Sequence, residues 1–308
     1  MIKKDRVTWK NVVVNAEEQE LIDKIRDGGA GRRLPEDVVN QYSVGKEWSM
    51  DINTCVGKTR VYMYWPEHAE EKNIPLFINI HGGGFLKGRR DQDIVFCRSL
   101  CSKSDVAIAD IDYIPAPDMR YPGQLYACYD VLQYFASHAA EMQILRDKIA
   151  VGGHSAGESL TAGLTLLSIM NKAYVPAIQI IDYAPTDMAA PVESKRNYDS
   201  NPKLPLWKME FYNKMYIDPE QMGEIYASPM KASDEILAQE PPTVMMYCES
   251  DIFCDEDAAF AERLMRLGVP VYAKCFLNSK HGFLVQRKDE HEEGEAMLVR
   301  ALRSMLTE

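Results

Sequence analysis

The chain has 308 residues, of which 46% are hydrophobic and 26% are charged, values that are ordinary for a soluble globular protein with one large domain and an appended cap. Its net charge of −11 argues against nucleic acid and anionic membranes as partners. The N-terminus has no apolar run behind its positive charges, no apolar stretch approaches the length of a membrane span, and the seven cysteines show no CxxC spacing. We therefore expect a cytoplasmic protein with reduced thiols.

Predicted strands and helices divide the chain into a core and two cap segments. Residues 1–53 are predicted to be an N-terminal cap segment outside the sheet, in which Asn15 and Glu18 have the spacing of a capping box in front of an apolar helix face. Strands and helices alternate in residues 54–185 and 241–308, which predicts an α/β core with a mostly parallel central sheet and helices on both faces. Residues 186–240 carry prolines, charges and short helical turns, and are predicted to be a helical cap insertion.

A run of glycines follows the buried strand that we predict over residues 75–80. Residues 81–85 read His-Gly-Gly-Gly-Phe. Consecutive glycines after a strand allow backbone N–H groups to turn toward a ligand, because no Cβ stands in the way. The amides of Gly83 and Gly84 are therefore candidate donors to an oxyanion.

Residues 153–157 read Gly-His-Ser-Ala-Gly and fit the G-x-S-x-G pattern of a nucleophile elbow. Such an elbow needs a strand, a sharp turn and a helix. A short apolar strand is predicted over residues 148–151, and an apolar stripe at helical spacing follows the motif. The pattern makes Ser155 the candidate nucleophile and adds the amide of Ala156 to the candidate oxyanion donors.

A candidate acid and a candidate base follow the last two predicted strands. Asp251 comes after one strand and His281 after the next. Because the carboxyl ends of parallel strands open on one edge of a sheet, both side chains can reach Ser155. The order Ser, Asp, His along the chain is that of α/β-hydrolases. Asp255 is the competing acid, but its position is typical of a helix start, so we prefer Asp251.

Taken together, these motifs resemble those of the hormone-sensitive-lipase-like carboxylesterases, a family of α/β-hydrolases. The similarity rests on the glycine loop, on the segment 112–117, on the elbow, on Asp251 with Asp255 behind it, and on residues 281–283. It extends from about residue 58 to the C-terminus, with a similar cap segment before it. The resemblance implies a capped α/β-hydrolase fold and a catalytic triad of Ser155, His281 and Asp251.

The chain departs from this family at three motif positions. His154 stands at the elbow where the family usually has an aspartate, Glu158 replaces its last glycine, and Ile114 replaces an arginine. None of these changes removes a catalytic atom, but each bears on the subfamily and the substrate. We expect His154 to have a structural role, because adjacent positions on a tight turn point apart. His81 is likewise expected to hold the glycine loop.

Other residues near the site have plainer interpretations. Cys248, Cys254 and Cys275 follow or flank the predicted site, but no motif makes them nucleophiles, and buried thiols are the expectation. No spacing indicates a metal site or a nucleotide-binding loop, so we expect no metal and no cofactor.

The substrate is expected to be a small ester. Phe85 and the cap residues Trp207 and Phe211 are the candidate pocket residues, although the spacing of the aromatic cap residues fits packing inside the cap equally well. Charges at close intervals in both cap segments leave little room for a surface that adsorbs to oil, which favours short-chain substrates. The net charge of −11 also disfavours negatively charged acids as substrates.

We therefore expect a serine carboxylesterase that acts on short-chain esters. An amidase acting on a small amide or arylformamide stays open, because the same machinery cleaves both bonds. A non-catalytic receptor for a small molecule is disfavoured, because the receptor known in this family has lost the histidine that is present here as His281. A homodimer is also left open.

Overall fold

The computed structural model describes residues 11–27, 33–67, 69, 73–195 and 204–306. These residues build one sheet of eight strands in the order β1-β2-β4-β3-β5-β6-β7-β8. The strands are β1 (Lys46–Thr54), β2 (Gly57–Trp65), β3 (Ile74–Ile80), β4 (Ala107–Asp112), β5 (Ile144–His154), β6 (Ile178–Asp182), β7 (Thr243–Cys248) and β8 (Val271–Phe276). The pairs β1–β2 and β2–β4 are antiparallel and all other pairs are parallel, which confirms the prediction of a mostly parallel sheet.

Helices cover both faces of the sheet. They are α1 (Ala16–Asp27), α2 (Glu36–Val39), α3 (Asp91–Ser104), α4 (Gly123–Ser137), α5 (Ala156–Met170), α6 (Leu206–Tyr216), α7 (Asp234–Leu237), α8 (Cys254–Arg266) and α9 (His291–Leu306). One hydrophobic cluster joins α1, α4 and α5 to one face, and a second joins α3 and α9 to the other. Every residue of β3 is buried, as expected of a central parallel strand that is covered on both sides. No helix in the described part of the chain is both long and apolar enough to cross a membrane.

The prediction that residues 1–53 lie outside the sheet is wrong at its C-terminal end, because residues 46–53 belong to β1. This strand forms an antiparallel hairpin with β2 and is the edge of the sheet. Its side chains alternate: Trp48, Met50 and Ile52 pack on the core, whereas Ser49 and Asp51 are exposed. The alternation is easily missed in the sequence, because every second residue of this edge strand is polar and faces solvent.

The two cap segments contact the core and each other on the same side of the sheet. The predicted capping box of α1 is confirmed: the Asn15 amide donates to Glu18 Oε2 at 3.0 Å, and the Glu18 amide donates to Asn15 Oδ1 at 2.9 Å. Glu18 also pairs with Lys214 of α6. Arg26 donates to the Ala116 carbonyl at 2.9 Å and so ties α1 to the core. The region between β6 and β7 contains α6 and α7, short helices as the sequence predicted.

Candidate active site

A strained turn between β5 and α5 presents the Ser155 hydroxyl. Ser155 has φ 56° and ψ −125°, in the left-handed region that non-glycine residues rarely adopt. Its amide donates to the Asp182 carbonyl of β6 at 2.9 Å. A Cβ on Gly157 would lie 1.9 Å from the Ile80 carbonyl oxygen, so the helix approaches β3 this closely only with glycine there. The motif is therefore a sharp elbow, as the sequence predicted.

Two hydrogen bonds connect Ser155 to Asp251 through His281. The Ser155 hydroxyl lies 2.9 Å from His281 Nε2, and His281 Nδ1 lies 2.7 Å from Asp251 Oδ2. Asp251 follows β7 and is fully buried, and His281 follows β8. Because a carboxylate accepts hydrogen bonds only, Nδ1 carries the proton and Nε2 is left as the acceptor for the serine hydroxyl. The three predicted triad residues thus come together.

The position of the His281 ring is defined by its aromatic neighbours as well. Tyr183 contacts it edge-on at 5.1 Å, and Phe253 lies at 5.8 Å between ring centroids. Asp255, the competing acid, is exposed in the first turn of α8. The preference for Asp251 over Asp255 is therefore supported by the hydrogen-bond geometry.

The glycine loop after β3 lies beside Ser155 and carries the candidate oxyanion donors. Gly83 has φ 134° and Gly84 φ 62°. A Cβ on Gly84 would lie 2.3 Å from the Tyr212 ring, so a larger residue would clash there in addition to being strained. Within the described part of the chain, the amides of Gly83 and Gly84 have no hydrogen-bond acceptor. The Ala156 amide, at the first position of α5, has no acceptor inside its helix.

His81 helps to hold the glycine loop in place. It is fully buried, and its ring stacks on Tyr113 with 4.3 Å between centroids and 15° between planes. The Tyr113 hydroxyl donates to the His81 carbonyl at 3.0 Å, and Arg90 Nη2 donates to the Gly82 carbonyl at 3.1 Å. These bonds hold the His81 and Gly82 carbonyls in place. The structural role expected for His81 agrees with these contacts.

A cavity of about 460 Å³ opens above the triad. Ser155, His281, the glycine loop and Phe85 line it, and Phe85 stacks on Tyr216 with ring centroids 3.6 Å apart. This volume falls within the usual range for a small-molecule site.

The prediction that Trp207 and Phe211 line the pocket is not supported by the geometry. Helix α6 turns Met209 and Tyr212 toward the cavity instead. Trp207 is 54% exposed, and Phe211 packs against the core cluster beneath the cap. Because α6 has large apolar residues on two faces, its sequence does not indicate which face lines the cavity. In the structure, the close approach of Tyr212 to Gly84 identifies that face.

His154 is buried next to Ser155 in the elbow, and among the described residues its ring makes no hydrogen bond to the serine hydroxyl. Its Nε2 lies 3.5 Å from Asp93 Oδ1, and its ring meets Phe96 edge-on. Burial lowers the pKa of His154, and the nearby Asp93 carboxylate opposes that shift. His154 therefore packs against α3, in agreement with the structural role that we expected.

Glu158 belongs to a group of buried carboxyl groups behind the triad. Glu158 and Asp257 are 0% and 1% exposed, and neither carboxyl has a hydrogen-bond partner in the described part of the chain. Burial raises the pKa of Glu158 well above its usual range, and the negative charges of Asp182, Glu256 and Asp251 raise it further. Burial thus favours the neutral, protonated form of the Glu158 carboxyl.

One group of side chains has the composition of a metal site. Glu249, Cys254 and Cys275 each bring one ligand atom within 4.8 Å of the others. Two thiols and a carboxylate suit zinc chemically. The sequence did not indicate this grouping, because the three residues come from separate elements with no short spacing. None of the three lines the cavity that holds Ser155 and His281.

The sheet order, the strand–elbow–helix turn and the order Ser, Asp, His define an α/β-hydrolase. A family model for the α/β hydrolase fold matches residues 77–285, and the chain belongs to this family. The resemblance to its hormone-sensitive-lipase-like carboxylesterases is confirmed by the relatives that the chain matches.

Proteins of varied origin are similar to this chain. An α/β hydrolase of Acanthamoeba polyphaga mimivirus is 30% identical over 69% of this chain, and the match covers 62% of that protein, less than two thirds of its length. An arylesterase of Saccharolobus solfataricus is 28% identical over 78% of each chain. The crystal structure of carboxyl esterase 2 from Tuber melanosporum is 25% identical, with a TM-score of 0.80 over 96% of this chain and 100% of that one.

Proposed function

We propose that this protein is a serine carboxylesterase that cleaves short-chain esters through an acyl-enzyme intermediate. The observation that carries the proposal is the pair of hydrogen bonds, 2.9 and 2.7 Å long, that links Ser155, His281 and Asp251 at the wall of a cavity. Relatives named as an arylesterase and as an ethyl acetate hydrolase give independent support.

In the first half of the reaction, the Ser155 hydroxyl attacks the ester carbonyl carbon and its proton passes to His281 Nε2. Asp251 keeps the other ring nitrogen protonated and stabilises the imidazolium that forms. The tetrahedral intermediate collapses when His281 gives the proton to the leaving alkoxide. The alcohol departs, and the acyl group stays on Ser155.

The second half uses the same groups on water. His281 takes a proton from a water molecule, whose oxygen attacks the acyl carbonyl, and then returns that proton to Ser155 Oγ. The products are a carboxylic acid and the regenerated serine.

The negative charge on the carbonyl oxygen needs donors that are in place before the reaction. The amides of Gly83, Gly84 and Ala156 are those donors in the proposal, and loss of one such donor costs about 3–4 kcal/mol in known cases. The Tyr113 and Arg90 bonds hold the glycine loop in position, so the amides need little reorganisation.

The size of the cavity favours short acyl groups. Phe85, Met209 and Tyr212 line it, and its volume of about 460 Å³ suits a small ester. Each methylene that the cavity buries should improve binding by about 0.8 kcal/mol until the wall is reached. We therefore propose acyl chains of roughly two to six carbons, with lower rates for longer ones.

The proposal is tested by ester hydrolysis with two alanine variants. Ser155→Ala should abolish the cleavage of p-nitrophenyl acetate while circular dichroism stays unchanged, because the substitution deletes one oxygen and leaves the elbow glycines. Ser137→Ala, at an exposed serine in α4, should keep wild-type rates. Activity of Ser155→Ala near that of the wild type would reject the mechanism. Faster cleavage of the matched anilide than of the ester would favour an amidase.

A further inference from the structure

Two thiols and a carboxylate meet near the edge of the sheet that β8 forms. Glu249 directly follows β7, Cys254 is the first residue of α8, and Cys275 belongs to β8. Their ligand atoms form the group whose composition suits zinc. Sequence spacing predicted no metal, because only the fold brings these three elements together.

The register of the last two strands explains why these side chains meet. Tyr247 of β7 pairs with Cys275 of β8, and the Glu249 amide donates to the Phe276 carbonyl at 3.0 Å, which continues the pairing past the end of β7. Side chains alternate across a strand, so Cys275 shares a face with Ala273, which packs in one hydrophobic cluster with α8. The start of α8 therefore stands on the same side of the sheet as the side chains of Glu249 and Cys275.

The ligand atoms are already spaced almost as zinc requires. Cys254 Sγ lies 4.0 Å and Cys275 Sγ 3.8 Å from the same oxygen, Glu249 Oε2. All three ligand atoms lie within 4.8 Å of one another. In a tetrahedral site with Zn–S bonds of about 2.3 Å and Zn–O bonds of about 2.1 Å, neighbouring ligand atoms lie about 3.6–3.8 Å apart. Side-chain movements of less than about 1 Å would therefore bring all three onto one ion.

The donor set selects a thiophilic ion over the common hard cations. Both cysteines are thiols, and thiolates favour zinc, whereas magnesium and calcium take oxygen ligands. Cys254 is buried, Cys275 is half-buried and Glu249 is exposed, so the group opens to solvent on one side. An ion can enter from that side, and a water molecule can supply the fourth ligand. On binding, the two thiols release their protons to solvent and the carboxylate gains the cation as a partner.

We propose that Glu249, Cys254 and Cys275 bind one Zn²⁺ ion, with water as the fourth ligand, and that this ion stabilises the loop that holds Asp251. Asp251 lies between the first two ligands in the chain, and its carbonyl accepts a bond from the Cys254 amide at 3.4 Å. Metal bonds on both sides of Asp251 tie this loop to β8. None of the three ligands lines the cavity that holds Ser155, so zinc binding is independent of ester cleavage.

The first experiment measures zinc binding and thermal stability together. The whole protein is dialysed against zinc chloride with a phosphine reductant, and bound metal is measured by atomic absorption. The wild type should bind one zinc ion per chain, and its melting temperature should rise by about 5 °C when zinc is at about 100 times Kd. EDTA should reverse both effects. A wild type that binds no zinc, or a melting temperature that zinc does not raise, would overturn the proposal.

Ligand variants then assign the ion to these side chains. Cys275→Ser should weaken zinc binding by about 100-fold or more, because loss of even an outer-shell partner costs about 10–100-fold. Glu249→Gln, at an exposed position, is a second variant that should fold and should weaken binding at least about tenfold. Cys55→Ser is the matched control, since it makes the same exchange in the turn between β1 and β2, at the opposite edge of the sheet. Unchanged zinc affinity in Cys275→Ser, or equal losses in Cys275→Ser and Cys55→Ser, would overturn the assignment.

Cobalt reports on the ligands directly. Zn²⁺ is a d¹⁰ ion without visible absorption, so Co²⁺ serves as the probe. The wild type titrated with cobalt(II) chloride should show thiolate-to-cobalt charge-transfer absorption and the d–d bands of a four-coordinate ion, and Cys275→Ser should lose most of this absorption. Ser155→Ala should keep it, which separates the zinc site from the proposed esterase function. A wild-type spectrum without charge-transfer absorption would contradict thiolate ligation.

Discussion

Asp251 has one competitor for the role of the acid, Asp255, and the hydrogen-bond geometry favours Asp251. Asp251 Oδ2 accepts a hydrogen bond from His281 Nδ1 at 2.7 Å, whereas Asp255 is exposed at the start of α8. Asp251→Asn should lower kcat on the order of 10⁴-fold, because an amide supports the wrong imidazole tautomer. Asp255→Asn should cost far less. If steady-state kinetics gave the larger loss for Asp255→Asn, the assignment of the acid would be wrong.

Among single residues, those fixed by the backbone were predictable and those fixed by packing were not. Ser155 follows from glycine positions that the turn itself requires, since a Cβ on Gly157 would strike the Ile80 carbonyl. Asp251 and His281 follow from their places after two strands. The pocket side chains depend on how α6 rotates against the glycine loop, and no local pattern encodes that rotation. For this reason Tyr212 was missed and Trp207 was chosen.

At the scale of elements, helix α6 should set the acyl length. Tyr212→Ala removes a ring from the cavity wall and should shift the maximum of kcat/KM toward longer acyl chains, because the freed volume can bury more methylenes. Trp207→Ala is the matched control, since Trp207 is 54% exposed and outside the lining, and its profile should follow the wild type. A series of p-nitrophenyl esters from two to sixteen carbons measures both.

The outcome of this series also distinguishes esterase from lipase. A wild-type maximum at twelve or more carbons would contradict the short-chain proposal. If Trp207→Ala shifted the preferred acyl length and Tyr212→Ala did not, Trp207 would line the pocket, as the sequence predicted.

The elements of the core were more predictable than those of its edge. Central strands such as β3 are apolar throughout and are recognisable without a partner. Strand β1 exposes every second side chain and pairs on one side only, so its sequence resembles that of a cap segment. Its place in the sheet depends on pairing with β2, which is a tertiary property.

At the scale of the whole molecule, buried acids should make stability depend on pH. The pKa of Glu158 is raised in the folded protein, so above its usual value near 4.5 the unfolded chain releases this proton while the folded protein keeps it. The contribution of Glu158 to the free energy of unfolding is therefore most favourable at low pH. It falls by up to about 1.4 kcal/mol per pH unit as pH rises toward the raised pKa. Glu158→Gln should remove that loss.

Thermal unfolding of this variant checks the prediction. The melting temperature of Glu158→Gln should exceed that of the wild type at pH 8, and the difference should shrink at pH 5. Glu141→Gln, at an exposed position, should show no such trend. An increase in melting temperature that is equal at pH 8 and pH 5 would indicate better packing of the glutamine and not the removal of the Glu158 titration.

The central claim is that Ser155 is the nucleophile, and covalent labelling tests it most directly. The wild-type protein is treated with a p-nitrophenyl phosphonate, and the adduct is counted by intact mass and located by peptide mapping. We expect one phosphonyl group per chain, on Ser155, formed as esterase activity is lost, with no labelling of Ser155→Ala. Complete loss of activity with the adduct on another residue, or full activity in a protein labelled at Ser155, would contradict the account.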